Sequence, residues 1–204
     1  CIYTLSLFKD PNAAYYIEPM LGDQNPFVRV GAIIALSKFN NNVEKSKKDL
    51  QSMLEMSDPM VKRAAIFAFG ELGLNKRHLI NKYLYENNPE VAHEAAQALT
   101  KLGDRHGFYV LLSHILSAPP EQFENYHRFF RSLNDNAKHS ALRVLHDYTS
   151  DYLHDLAMEY ESGDLEDMEL AVLERLRRLY VLLDQPEELF EIQNVLKNKH
   201  AINI

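Results

Sequence analysis

The sequence predicts an all-α fold, a right-handed α-α superhelix of paired helices whose regularity is lost in the second half. Two observations predict it. A turn ending in Pro is followed three times by nearly the same helix: Asn25-Pro26-Phe27-Val28-Arg29, Asp58-Pro59-Met60-Val61-Lys62 and Asn88-Pro89-Glu90-Val91-Ala92. The prolines lie 33 and 30 residues apart (59 − 26 and 89 − 59). Self-similarity at this period marks a helical solenoid, whose units bury their apolar faces only by stacking on a neighbour. The second observation is that the chain carries no alternating strand pattern and no Gly-rich loop.

Each element has a local cause. With Val28, Val61 and Val91 set as equivalent, Ala32, Ala65 and Ala95 follow four residues on, and Ala35, Ala68 and Ala98 seven on. Leu36, Phe69 and Leu99 come next, then Phe39, Leu72 and Leu102. At 100° per residue these positions form one apolar stripe, and its alanines let neighbouring helices approach closely. Asn25, Asp58 and Asn88 are placed to cap the helices, each with Pro in the first turn. Gly73 and Gly103, with Asn40 in the first repeat, are placed to end them.

Partner helices are expected near 11–21, 43–56, 76–86 and 106–117, with Cys1 to Phe8 as the tail of a preceding helix. Residues 1–117 thus read as about three helix pairs with a cut end. Residues 118–204 read as less regular helices that continue the same domain. An aromatic helix (Phe123, Tyr126, Phe129, Phe130) runs to about 133, and a long helix capped by Asn134 runs to about 161. Further helices are expected from about 165 to 183 and from Pro186 to about 198.

Composition narrows the function classes. Residues 1–104 hold 12 Lys/Arg and 12 Asp/Glu, whereas residues 105–204 hold 10 and 17, so the whole net charge of −7 sits in the second half. Such a field repels polyanions, and nucleic-acid binding is not expected. No stretch approaches the roughly 18 consecutive apolar residues of a membrane helix. A single cysteine supports neither an internal disulfide nor a cysteine-based zinc site and fits a reducing, cytoplasmic setting. Beginning at Cys1 and stopping at Ile204 inside an apolar pattern, the sequence is expected to be a fragment of a longer protein.

The three motifs resemble HEAT repeats, armadillo-like α-solenoids, of the short bacterial type. The second helix of that type reads Asp-Pro-x-Val-Arg-x-x-Ala-x-x-Ala-Leu-x-x-Leu-Gly, and Asp58 through Ala65, Ala68-Phe69 and Leu72-Gly73 match it best. The resemblance covers residues 20–104 and implies a non-enzymatic scaffold or linker whose partners are proteins or flanking domains of the same polypeptide. In the family the Asp and Arg commonly link adjacent repeats. Ala92 stands where Arg29 and Lys62 supply the basic residue, which implies a more loosely tied third repeat. A fainter resemblance joins Leu176-Arg177-Arg178-Leu179-Tyr180 and Asp184 to Leu189 to the soluble helical region of bacterial ATP/ADP-carrier-like transporter fusions. It implies a regulatory region on the cytoplasmic side of a membrane domain.

Candidate residues follow from the face opposite the stripe, at two, six and nine residues after the repeat valine. These are Val30, Arg63 and His93; Ile34, Phe67 and Gln97; and Ser37, Gly70 and Thr100. Exposed apolar side chains among them, Ile34 and Phe67, would mark an interaction surface. His146, Asp147, Asp151, His154 and Asp155 on the long helix are the only candidate metal ligands, but the two histidines are eight apart and no second helix offers a matching set. No metal or cofactor is therefore expected. Arg175, Arg177 and Arg178, with Lys197 and Lys199, form the basic patch of the acidic half, and Glu174 suggests internal pairing. No nucleophile elbow, phosphate loop or dinucleotide fingerprint occurs, so no catalytic residue is assigned.

Two alternatives stand beside the scaffold. Lyases that attach bilins to phycobiliproteins share the repeat with little further signature. A small molecule could also bind near Phe123 to Phe130, although aromatic residues at helical spacing more often form core. Base-removing DNA glycosylases of similar fold need a basic channel that this charge distribution does not offer.

Overall fold

A computed structural model of the chain describes residues 12–40, 43–159, 167–183 and 192–195. The tail of a preceding helix at Cys1–Phe8, Asp184 to Leu189, Lys197 and Lys199 lie outside the described residues, as does most of the expected last helix. Among the described residues every regular element is helical. None of the helices there is long and apolar enough to cross a membrane.

The chain divides into two compact units, Cys1–Gly107 and Phe108–Ile204. In the first unit, α1 (Ala13–Ile17) passes into a 3-10 helix, η1 (Glu18–Gly22). Then follow α2 (Pro26–Asn40), α3 (Val43–Leu54), α4 (Pro59–Glu71), α5 (Arg77–Ile80), a second 3-10 helix η2 (Asn81–Tyr83), and α6 (Pro89–Lys101). The first unit also contains the start of α7 (Arg105–Ser117), and the remainder of α7 belongs to the second unit. In that unit come α8 (Pro120–Arg131), α9 (Asp135–Glu159) and α10 (Asp167–Leu182).

The repeat motif sets the boundaries of α2, α4 and α6. Asn25, Asp58 and Asn88 each accept a backbone N–H of the first turn through Oδ1: Phe27 N at 2.9 Å, Met60 N at 2.8 Å, and Glu90 N at 3.0 Å with Val91 N at 3.2 Å. These bonds satisfy donors that a helix start leaves unpaired. At the other end Gly73 and Gly103 take φ of +60° and +72°. That conformation lets Leu74 N reach Phe69 O (3.1 Å) and Asp104 N reach Leu99 O (2.9 Å), closing a Schellman motif twice.

Two of the expected partner helices are shorter than their apolar periodicity suggests. The span 11–21 breaks at Ile17 because Pro19 has no N–H to donate, and the chain tightens into η1. The span 76–86 is a single turn of α5 followed by η2. Tyr83 from η2 then donates its hydroxyl to Leu54 O (2.8 Å), pairing a carbonyl at the end of α3. Arg77 serves the end of α6 in the same way, donating Nη2 to Leu102 O at 2.6 Å.

The stripe residues Ala32, Ala35, Val61, Ala65, Ala68, Phe69, Val91, Ala95, Ala98, Leu99 and Leu102 are buried, as their spacing predicts. Val28, Leu36 and Leu72 are only partly covered. A second strip is buried as well. Ile33, Ile66 and Ala96, five residues after the repeat valine, and Ser37, Gly70 and Thr100, nine after it, are all closed off from solvent. A helix in the middle of a stack meets its own partner and the equivalent helices before and after it, so one buried stripe is not enough. Gly70 marks the closest approach: a Cβ there would lie 3.0 Å from Ala98 Cα. The second and third repeats thus approach closely here, although Ala92 lacks the basic side chain of its counterparts.

In the second unit the core is aromatic and aliphatic. Phe108 and Phe130 meet edge to face at 6.2 Å, and Phe129 meets Phe130 at 5.5 Å. Arg175 on α10 donates Nη1 to Leu116 O and, at 3.4 Å, to Ile115 O, pairing carbonyls at the end of α7. Asn134 Oδ1 accepts Ala137 N (2.9 Å) and starts α9.

Candidate interaction surface

Across α2, α4 and α6 a row of side chains from different repeat positions meets. Phe27, in the first turn of α2, faces Phe67 of α4 with ring centroids 6.4 Å apart. The Arg63 guanidinium lies 5.8 Å from the Phe27 ring, and the Lys101 ammonium 5.6 Å from the Phe67 ring. Cations over aromatic faces are worth about 0.5–1 kcal/mol each at exposed sites. Arg63 also pairs with Glu90 at the start of α6, and Lys101 of α6 pairs with Glu71 at the end of α4. Two ion pairs thus join successive repeats at opposite ends of the same seam.

Between them sits Glu94. Its carboxylate lies 4.0 Å from Arg63 Nη2. Burial pushes its pKa up to about 7, with Arg63 and Lys101 pulling it down and Glu71 adding to the rise. On the same helix Gln97 Nε2 donates to His93 Nε2 at 3.0 Å, which requires the imidazole proton on Nδ1.

Of the nine predicted face residues, four are partly exposed, Arg63 and Phe67 on α4 and His93 and Gln97 on α6, whereas Ser37, Gly70 and Thr100 are buried. Val30 and Ile34 do not join them. Both are buried, because α2 is covered on that side as well as along the stripe. The sequence reading missed Phe27, Glu90, Glu94, Lys101 and Glu71. Glu94 had a signal: three residues after the repeat valine the other repeats carry Gly31 and Ala64, and only the third places a charge there.

Elsewhere the predicted groups are dispersed. His146, Asp147, Asp151, His154 and Asp155 are all exposed on α9. Among the described residues no three His, Cys, Asp or Glu side chains gather as a metal ion would need. Phe123, Tyr126 and Phe130 are buried core residues, and Phe129 is partly so. On α10 Arg177 and Arg178 pair within the helix, whereas Arg175 reaches the α7 carbonyls. Glu174 accepts Arg177 through both oxygens (2.7 and 2.8 Å) and Arg178 Nε at 3.1 Å. The Arg177 hydrogen bond above all holds the Glu174 carboxyl below its ordinary pKa, against the opposing effect of burial.

Comparison with known families agrees with this arrangement of stacked, equivalent helices. Residues 1–70 match the family model for HEAT repeats. Over those residues the chain is similar to HEAT repeats. The match includes the Pro26 and Pro59 motifs, and the helix begun by Pro89, outside the matched residues, repeats their capping geometry. Neither the curated proteins nor the solved structures include a match to this chain. HEAT repeats build extended surfaces from the same stacked helices that form their core, and they commonly serve as protein-interaction scaffolds.

Proposed function

We propose that the chain is a non-enzymatic HEAT scaffold or linker, and that its partner, a protein or a flanking domain of the same polypeptide, docks on the row formed by Arg63, Phe67, His93 and Gln97. The observation that carries this reading is the cross-repeat ladder Phe27–Phe67–Lys101 with Arg63 and Glu90 beside it. Aromatic and Arg side chains that are already held in place lose little freedom on binding, which is why such residues dominate interfaces. In its finer form the scaffold is the soluble regulatory region beside a transporter-like membrane domain. Support for that version is the Leu176 to Tyr180 run and the order of the helices around it.

The test is co-purification of the full-length polypeptide with its partners, comparing the natural chain with His93→Ala/Gln97→Ala. The ion pairs Arg63–Glu90 and Lys101–Glu71 are kept in this variant, so the fold should persist, as circular dichroism would show. Partners recovered with the natural chain should be lost with the double variant and kept with Asp151→Lys on α9. Equal recovery by all three would overturn the assignment of the surface. Transfer of a bilin to a phycobiliprotein subunit by the purified chain would replace the scaffold with the lyase reading.

A further inference from the structure

We propose that the seam between α4 and α6 holds a proton-binding site at Glu94, which makes the packing of the second and third repeats tighter in mild acid and looser as pH rises through neutrality. The proposal rests on the inventory of charge in the seam and not on the interaction surface. Three carboxylates, Glu71, Glu90 and Glu94, share two cations, Arg63 and Lys101. Each cation is already committed: Arg63 to Glu90, and Lys101 to Glu71. Glu94 reaches only Arg63 Nη2, at 4.0 Å, beyond hydrogen-bonding distance.

Glu94 is also the least accessible of the five, with 13% of its side chain exposed against 68% for Glu90 and 30% for Glu71. A buried charge without a close partner is expensive, whereas a neutral carboxyl is not, so the excess negative charge is relieved by a proton on Glu94. The position itself was never suited to a charge. The equivalent residues Gly31 and Ala64 belong to a tightly stacked helix row.

Other titratable groups on elements packed against α6 have contacts of their own or face solvent. Arg77 donates to Leu102 O, Lys62 and Lys82 lie over the Tyr83 ring, and His78 is exposed. On α6 itself His93 is bonded to Gln97, and at the start of α7 His106 is bonded to Tyr85. The charges that act on Glu94 are Arg63, Lys101 and Glu71.

The sign follows from linkage. In the unfolded chain Glu94 titrates near the ordinary 4.5, and in the folded chain near 7. Between those values the native state binds the additional proton. Its contribution to stability is complete below 4.5, declines as pH rises, and is gone above about 7.

Thermal unfolding of the full chain, natural and Glu94→Gln, at pH 5, 7 and 8.5 tests this. Gln mimics the protonated carboxyl. The two chains should melt together at pH 5, and Glu94→Gln should melt roughly 4 °C higher at pH 8.5. A variant that melts below the natural chain at pH 8.5 would show that Glu94 works as an ionised partner, and the proposal would fail. A gap that does not change with pH would sink it equally. Carbon-detected titration of the Glu94 carboxyl in the natural chain decides the matter even if the variant folds poorly. A midpoint between about 6 and 8 supports the site, and one near the ordinary carboxylate value overturns it. Glu71→Gln should lower that midpoint, since the Glu71 charge is among those that raise it.

Discussion

The two units bury their helices by opposite means. In Cys1–Gly107 the contacts are made by small residues: Ala32, Ala35, Ala65, Ala68, Ala95 and Ala98, with Gly70 against Ala98. Backbones approach closely, and the surplus volume is taken up by Phe69, Leu99 and Ile66. In Phe108–Ile204 the buried positions of α7, α8 and α10 are large: Phe108, Phe123, Phe130, Leu176 and Tyr180. Close approach suits repetition, because every interface can copy the last. Large rings fill one irregular space once. The two strategies should fail in different ways, the first when atoms are added and the second when they are removed.

The strongest challenge to that contrast is a deletion in the second unit. Phe130 is fully buried and meets two other rings. Phe130→Ala should cost about 3–5 kcal/mol, through lost transfer free energy and the cavity left behind. Denaturant unfolding would measure it, and a loss below about 1 kcal/mol would mean that the aromatic core is loosely packed. Addition in the first unit is the matching experiment. Gly70→Leu brings a side chain where even a Cβ lies 3.0 Å from the Ala98 backbone, so α4 and α6 must part. Overpacking of this kind costs about 1–3 kcal/mol. If Gly70→Leu were neutral by the same measurement, the close helix contact would not be what holds the repeats together.

The same contrast explains what could be read in the sequence. The capped starts at Asn25, Asp58 and Asn88, the Gly73 and Gly103 stops, and the Ala stripe are local rules applied three times, and they were legible. The exposed side of α2, α4 and α6 was only half legible. Arg63, Phe67, His93 and Gln97 were found by assuming one buried stripe and looking opposite it. Val30 and Ile34 were wrongly included for the same reason, because a stacked helix is buried on a second side that periodicity within one helix does not reveal. Glu94 was visible only as a departure from Gly31 and Ala64. Its partners depend on which helices become neighbours, and Lys101–Glu71 joins residues 30 apart. Pro19 shows the converse case, where a local signal against helix was outweighed by an apolar pattern and the chain obeyed the proline.

The smallest effect concerns charge, and there too the units differ. The ion pairs of the first unit described above cross from α4 to α6, whereas Glu174 pairs with Arg177 and Arg178 along one helix, three and four residues away. Pairs of that spacing contribute about 0.3–0.5 kcal/mol once screened by solvent, and the Glu174 side chain is 37% exposed. Glu174→Gln should therefore lower the melting temperature by only a degree or two at neutral pH. The pH dependence has the opposite sign to that of Glu94. Because its pKa is held below the ordinary 4.5, the Glu174 contribution is present above that value and is lost as pH falls through the folded one. Natural and variant chains should converge as the pH is lowered through that range, and added salt should narrow the gap at pH 7. A gap that survives in acid would mean that Glu174 acts through packing and not through its ion pairs with Arg177 and Arg178.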